Sequence, residues 1–146
     1  MTGVHIAIGV GMVAVNLVAT LVGAYQWWLA PHARLFWPLL RAGQALTVLA
    51  AADGLILVIA GHDLPDLHLI YGLTPIGVSF LAEQLRLASA DTVLASRDLE
   101  DAQAMRGLPE REQHAIVHQI IRREVGVMAA SAFVVAVLGL RAGAWL

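Results

Sequence analysis

The sequence predicts an all-α integral membrane protein: a four-transmembrane-helix bundle in which helices three and four extend beyond the bilayer as a helical hairpin. Composition is the first support. Hydrophobic residues make up 59% of the 146 and charged residues 14%, with a mean hydropathy of +0.73, whereas a soluble domain carries about 25% charged residues. Segment length is the second. Four apolar segments each exceed the roughly 20 residues that a helix needs to cross the hydrocarbon core. The third is one polar stripe. At about 100° per residue, the stretch from His62 to Arg86 puts His68, Tyr71, Gly72, Pro75, Ser79, Ala82, Glu83 and Arg86 on one face and Leu69, Ile76, Phe80 and Leu87 on the other. Such a stripe does not face lipid, so neighbouring helices must cover it.

The chain reads as a single domain over residues 1–146. Its spans are Val4–Leu29, Phe36–Gly61, Asp66–Ala90 and Val125–Leu146, with residues 91–124 as the extension. Turn-forming residues mark the breaks: Ala30-Pro31, then Gly61 to Pro65, then Gly107-Leu108-Pro109. The first span has no basic leader and is longer than a signal peptide's apolar run, so it is expected to be retained. Tyr25, Trp27 and Trp28 place its end at a headgroup interface.

All nine basic residues are arginine. Arg34 and Arg41 belong to the first loop and Arg97, Arg106, Arg111, Arg122 and Arg123 to the third, while the second loop carries Asp63 and Asp66. The positive-inside rule therefore puts loops one and three in the cytoplasm and both termini outside, as in a bacterial cytoplasmic membrane. Arg141 is the exception. The third loop is rich in helix formers. Its two arms, Ala90–Arg106 and Pro109–Glu124, are expected to turn at Gly107, with Ile116, Ile120 and Ile121 packing on Val93, Leu94 and Leu99.

The first span has a stripe of its own: His5, Gly9, Met12, Asn16, Thr20, Gly23 and Trp27. Spans one and three run in the same direction, so His5 is level with His68, Gly9 with Gly72 and Asn16 with Ser79. The two small-residue faces are expected to pack on each other, with Asn16 and Ser79 hydrogen-bonding where water is absent.

Four constellations are candidates for chemistry, each with a plainer reading beside it. At the outer rim, His5, His68 and His62, near Asp63 and Asp66, could hold a transition metal or clamp a haem b iron, with Gly9 and Gly72 leaving room for the macrocycle. The plainer reading is histidines hydrated among headgroups. On the extension, Glu110, His114, His118 and Arg122 share a face, and Asp101 or Asp98 across the hairpin would complete a metal site; a solvated face with i,i+4 pairs is the alternative. Asp53, about 12 Å inside the second span, projects away from Arg41, Gln44 and His62. Either His62 and Arg41 lie at interfaces where they snorkel, or Asp53 faces a second copy or another subunit; a proton relay through Asp53 is the sharper reading beside these. Near the inner rim, Glu83 with Arg41 or Arg86 either fixes helix register or borders a headgroup or quinone site.

The sequence also excludes functions. It has no cysteine, which removes thiolate, iron–sulfur and c-type haem chemistry. A net charge of −2 without a basic patch removes nucleic acid as a partner. No motif names a reaction, which points away from an enzyme and leaves electron transfer as the exception. Two functions remain. One is a non-catalytic subunit or assembly factor, with membrane lipids, other membrane subunits or a second copy as its partners. The other is a membrane redox protein with haem b or a transition metal at the outer rim.

Overall fold

The computed structural model describes residues 3–29, 34–63 and 66–143. Its regular elements are all helical: α1 (Gly3–Leu29), α2 (Phe36–Ile59), α3 (Asp66–Leu87), a short α4 (Ser89–Ala95), a 3₁₀ turn (Ala104–Gly107) and α5 (Glu110–Gly143). The expected breaks at Ala30-Pro31 and at Leu64 and Pro65, and the end of the last span, lie outside the described residues.

Three helices, α1, α2 and α5, are long and apolar enough to cross a bilayer. Their surface is that of a membrane protein, with Val10, Leu21, Ile56 and Ile59 each more than 60% exposed where a soluble fold would bury them. The sequence led us to expect four such spans. At 22 residues α3 has the length, about 33 Å at 1.5 Å per residue, but His68, Pro75, Glu83 and Arg86 lower its hydropathy below that of the other three. Its expected faces are nonetheless correct: Pro75 and Ala82 are buried, while Leu69, Ile76, Phe80 and Leu87 are exposed.

The α1 stripe is also correct, since Met12, Asn16, Ala19 and Gly23 are its buried residues. Its partner is different from the one expected. α1 packs mainly on α5 and α2, α3 packs mainly on α5, and α2 touches α3 only sparingly. α1 and α3 are therefore diagonal in the bundle. No Asn16–Ser79 hydrogen bond forms; Asn16 Nδ2 instead donates to the Met12 carbonyl at 2.9 Å. Glycine decides these contacts. A Cβ on Gly23 would stand 2.6 Å from Phe36 Cε2 and 2.7 Å from Ala129 Cβ, and one on Gly43 would stand 2.9 Å from Asn16 Oδ1. The resulting core of Ala19, Phe36, Leu40, Ala82, Val125, Met128, Ala129 and Ala132 fills the half of the bundle that carries Arg41 and Arg86.

The expected hairpin forms only in part. Its descending arm is continuous: α5 runs 34 residues, about 51 Å, well beyond a hydrocarbon core of about 30 Å. The rising arm is broken. α3 stops at Leu87, α4 ends at Ala95, and the turn that follows closes at Asp98, a non-glycine residue with φ of 56°. There the Asp98 N–H donates to the Ala95 carbonyl and the Leu99 N–H to the Leu94 carbonyl, the Schellman closure. Leu99 then packs with Leu94, Val93 and Ile116 in a second small core that Ile120 also joins; Ile121 belongs to the main core instead. The end of α2 closes in the same way, with Gly61 at φ 83° and the His62 N–H donating to the Leu57 carbonyl.

Gly23→Ala is expected to destabilise the fold by about 1–3 kcal/mol through overpacking. Gly77→Ala, whose Cβ would meet nothing within 4 Å, should be neutral or stabilising by up to about 1 kcal/mol. Thermal unfolding in detergent checks both.

Candidate functional site

The antiparallel register of α1 and α2 sets the outer site. The register that brings Gly23 to Phe36, Gly43 to Asn16 and Gly11 to Leu46 brings His5 to Asp53 one step further along. His5 Nδ1 lies 2.9 Å from Asp53 Oδ2, with the two side chains only 12% and 26% exposed. Asp53 is thus turned to a histidine of its own chain. The contact leaves Asp53 facing into the bundle, with His62 exposed and Arg41 half-exposed.

His68, at the start of α3, comes to the same place from the diagonal helix. Its ring centroid is 5.9 Å from that of His5, with the planes inclined at 53°, and its Nδ1 is 3.3 Å from the Ala142 carbonyl oxygen of α5. The Ala142 carbonyl only accepts, so His68 donates through Nδ1–H, and opposite an ionised Asp53 carboxylate His5 does the same. Nε2 is left with its lone pair in the neutral ring. Two imidazoles with Nδ1 anchored and Nε2 available form the arrangement by which proteins orient histidine ligands.

The diagonal gap between α1 and α3 is a cleft of about 590 Å³. Both histidines line it, with Gly9, Gly72 and Gly54, Pro75 and aliphatic side chains of all four long helices. A Cβ on Gly9 or Gly72 would meet nothing within 4 Å, so these glycines border open space, as their spacing below the histidines suggested. Pro75 adds a freed backbone group, because it lacks the N–H that would bond the Tyr71 carbonyl. Tyr71 itself has the Arg141 guanidinium over its ring at 5.9 Å.

The remaining sequence candidates fall elsewhere. His62 is exposed beyond the end of α2 and does not line the cleft, so it is not a third ligand at the outer rim. Asp63 is exposed as well, and the side chain of Asp66 lies outside the described residues; the orienting carboxylate is Asp53. On α5, His114 and His118 are exposed. Asp101 is occupied, accepting from the Gln103 and Ala104 N–H groups at 2.8 Å each and so closing the 3₁₀ turn. Among the described residues no three histidines or carboxylates gather to hold a metal ion, and the His114–His118–Asp101 site is corrected accordingly.

At the opposite end of the bundle, Glu83 takes three donors. Arg41 Nη1 and Gln44 Nε2 reach its Oε1, the latter at 3.0 Å, and Arg86 Nε reaches its Oε2 at 2.8 Å. The Arg86 guanidinium also stacks over Trp37 at 5.7 Å. Ser79 lines a narrow groove of about 260 Å³ between α2 and α3 directly beside Glu83, together with Gln44, Thr47, Val48, Ile76 and Phe80.

Sequence reasoning missed the pairing of Asp53 with His5. The available signal was register: pairing α1 antiparallel to α2 through Gly23 and Gly43 would have aligned them. Comparison with protein-family models, curated proteins and solved structures gives no match to the chain. Asp53→Leu, which strands the His5 Nδ1–H in an apolar setting, is expected to cost about 1–3 kcal/mol. Asp53→Asn, which keeps an acceptor, should cost less, as read by thermal unfolding of the two variants side by side.

Proposed function

We propose that the chain is a four-span membrane protein that binds haem b between α1 and α3 through His5 and His68 and passes single electrons. The observation that carries this reading is the pair of Nδ1-anchored imidazoles facing one apolar cleft. Two protein donors fall short of the three or four that a zinc ion takes from a protein. A porphyrin brings four nitrogens of its own and asks only for axial ligands. The ring separation of 5.9 Å lies between the roughly 5.3 Å of imidazoles on a tetrahedral ion and the roughly 6.5 Å of imidazoles on opposite sides of one, at metal–nitrogen bonds of about 2.1 Å. The cleft volume falls within the range of about 300–1,000 Å³ typical of ligand pockets.

The fourth span in this reading is α3, whose Ile70, Leu73, Phe80, Leu81 and Leu85 are exposed and suit lipid. Arginine-bearing loops in the cytoplasm put the histidine site toward the outer face. Bound haem would supply a one-electron ferric–ferrous couple. Asp53 and the Ala142 carbonyl hold the ring orientation and strengthen the basicity of both Nε2 atoms, and the apolar walls keep water from the site.

A second reading, a non-catalytic subunit or assembly factor, draws on the extension beyond the spans. There Val93, Leu94 and Ile116 form their own core and so hold a defined polar surface for a partner.

The reduced-minus-oxidised visible spectrum of the protein purified in detergent separates the two. A Soret band with sharp α and β bands is expected, lost in His5→Ala and His68→Ala. It should also be lost in Gly72→Leu, which fills the cleft while the far-ultraviolet circular dichroism stays helical. A flat spectrum that persists after titration with haem overturns the haem reading and leaves the second.

A further inference from the structure

We propose that the Arg41–Glu83–Arg86 cluster and the groove beside it hold one anionic phospholipid, its phosphate at the two guanidiniums and one acyl chain between α2 and α3. The inference is independent of the histidine site, which lies at the other end of the bundle.

Charge and donor supply point to an anion. Two guanidiniums meet one carboxylate, so the cluster keeps one positive charge. Each guanidinium offers five N–H donors, and few are used: Arg41 reaches Gln44 and Glu83 through Nη1 alone, and Arg86 reaches Glu83 through Nε alone. Among the described residues the terminal nitrogens of Arg86 and the Nε and Nη2 of Arg41 have no hydrogen-bond partner. Arg41 is half-exposed, and stacking on Trp37 holds the plane of Arg86. A planar, pre-positioned fork of this kind matches phosphate oxygens. A choline or ammonium headgroup finds nothing comparable, because Glu83 is already surrounded by three donors, two of them cationic, and Trp37 is already covered by a cation.

The groove matches the remainder of the molecule in order. Ser79 stands one helical turn, about 6 Å, from Glu83. It is half-buried, and its hydroxyl has no bonded partner among the described residues, so it can donate to a glycerol ester carbonyl. Beyond it Val48, Ile76 and Phe80 offer an apolar track. The groove stays open because α2 and α3 touch only sparingly. At about 260 Å³ it is narrower than the roughly 300 Å³ at which small-molecule pockets begin, and suits an alkyl chain better than a ring system.

The test is native mass spectrometry of the full chain in detergent with phosphatidylglycerol and phosphatidylcholine of matched acyl chains, together with the melting temperature in each lipid. The expected result is one tightly retained phosphatidylglycerol and a higher melting temperature with that lipid. Preference should fall on the order of fivefold for each arginine removed in Arg41→Gln and Arg86→Gln, and stay unchanged in Arg123→Gln. Glu83→Gln should raise it. A cluster that merely ties α2 to α3 would not give opposite signs for the arginine and glutamate variants. Equal retention of the two lipids by the unmodified protein overturns the proposal. So does a preference that survives loss of both arginines, or displacement of the lipid by glycerol phosphate alone, which would mark a site for free phosphate. Should a variant fail to fold, the comparison of melting temperatures on the unmodified protein decides.

Discussion

Where Gly23 of α1 meets Phe36 and Ala129, the backbone approaches so closely that a Cβ would stand 2.6–2.7 Å from its neighbours, and the rest of the bundle follows from that approach. Van der Waals contact between small residues is what brings helices together in lipid, where apolar side chains gain nothing by leaving one oily medium for another. α1 meets this condition on two sides, against α2 at Gly43 and against α5 at Ala129, Gly126 and Gly139. It does not meet it against α3. The diagonal helix therefore stands off, and the gap becomes the cleft.

That asymmetry divides the molecule along its length. One half is a dense core around Phe36, Leu40 and Met128, in which a void would forfeit dispersion contacts. The other half is lined by Gly9 and Gly72, which border open space, and by two histidines with anchored Nδ1 atoms. A rigid half supporting an open half is a physical requirement for a site that must hold side chains in place before a ligand arrives. The polar side chains follow the same division. His5, Asp53 and His68 cluster at the open end; Arg41, Gln44, Glu83 and Arg86 cluster where α2 and α3 need a polar tie in place of close packing.

Much of this was legible in the residues. The 3.6-residue period placed Met12, Asn16 and Gly23 on one face of α1 and His68, Pro75 and Ala82 on one face of α3, and both faces are inward. Parallel direction put His5 level with His68, and the structure brings their rings to 5.9 Å. The Glu83–Arg41 and Glu83–Arg86 pairs were legible too, because charges near the same depth in lipid seek each other. The positive φ at Asp98 was not. Glycine usually signals that closure, and an aspartate in its place left no mark by which to foresee the break in the rising arm.

Helical periodicity is local, so the chain alone determined that its long segments are apolar helices, where three of them can cross a bilayer, and which stripe of each must be hidden. It did not determine which stripe hides which. Two faces rich in small residues can each satisfy the other or a third helix, and the choice rests on side-chain volumes summed over whole interfaces. Only the tertiary structure decided that α5 and α2 cover α1, that α1 and α3 are diagonal, and that Asp53 turns to His5. The reason is steric: close approach is available only where glycine and alanine from two helices coincide in depth, and that coincidence depends on the register of every pair at once.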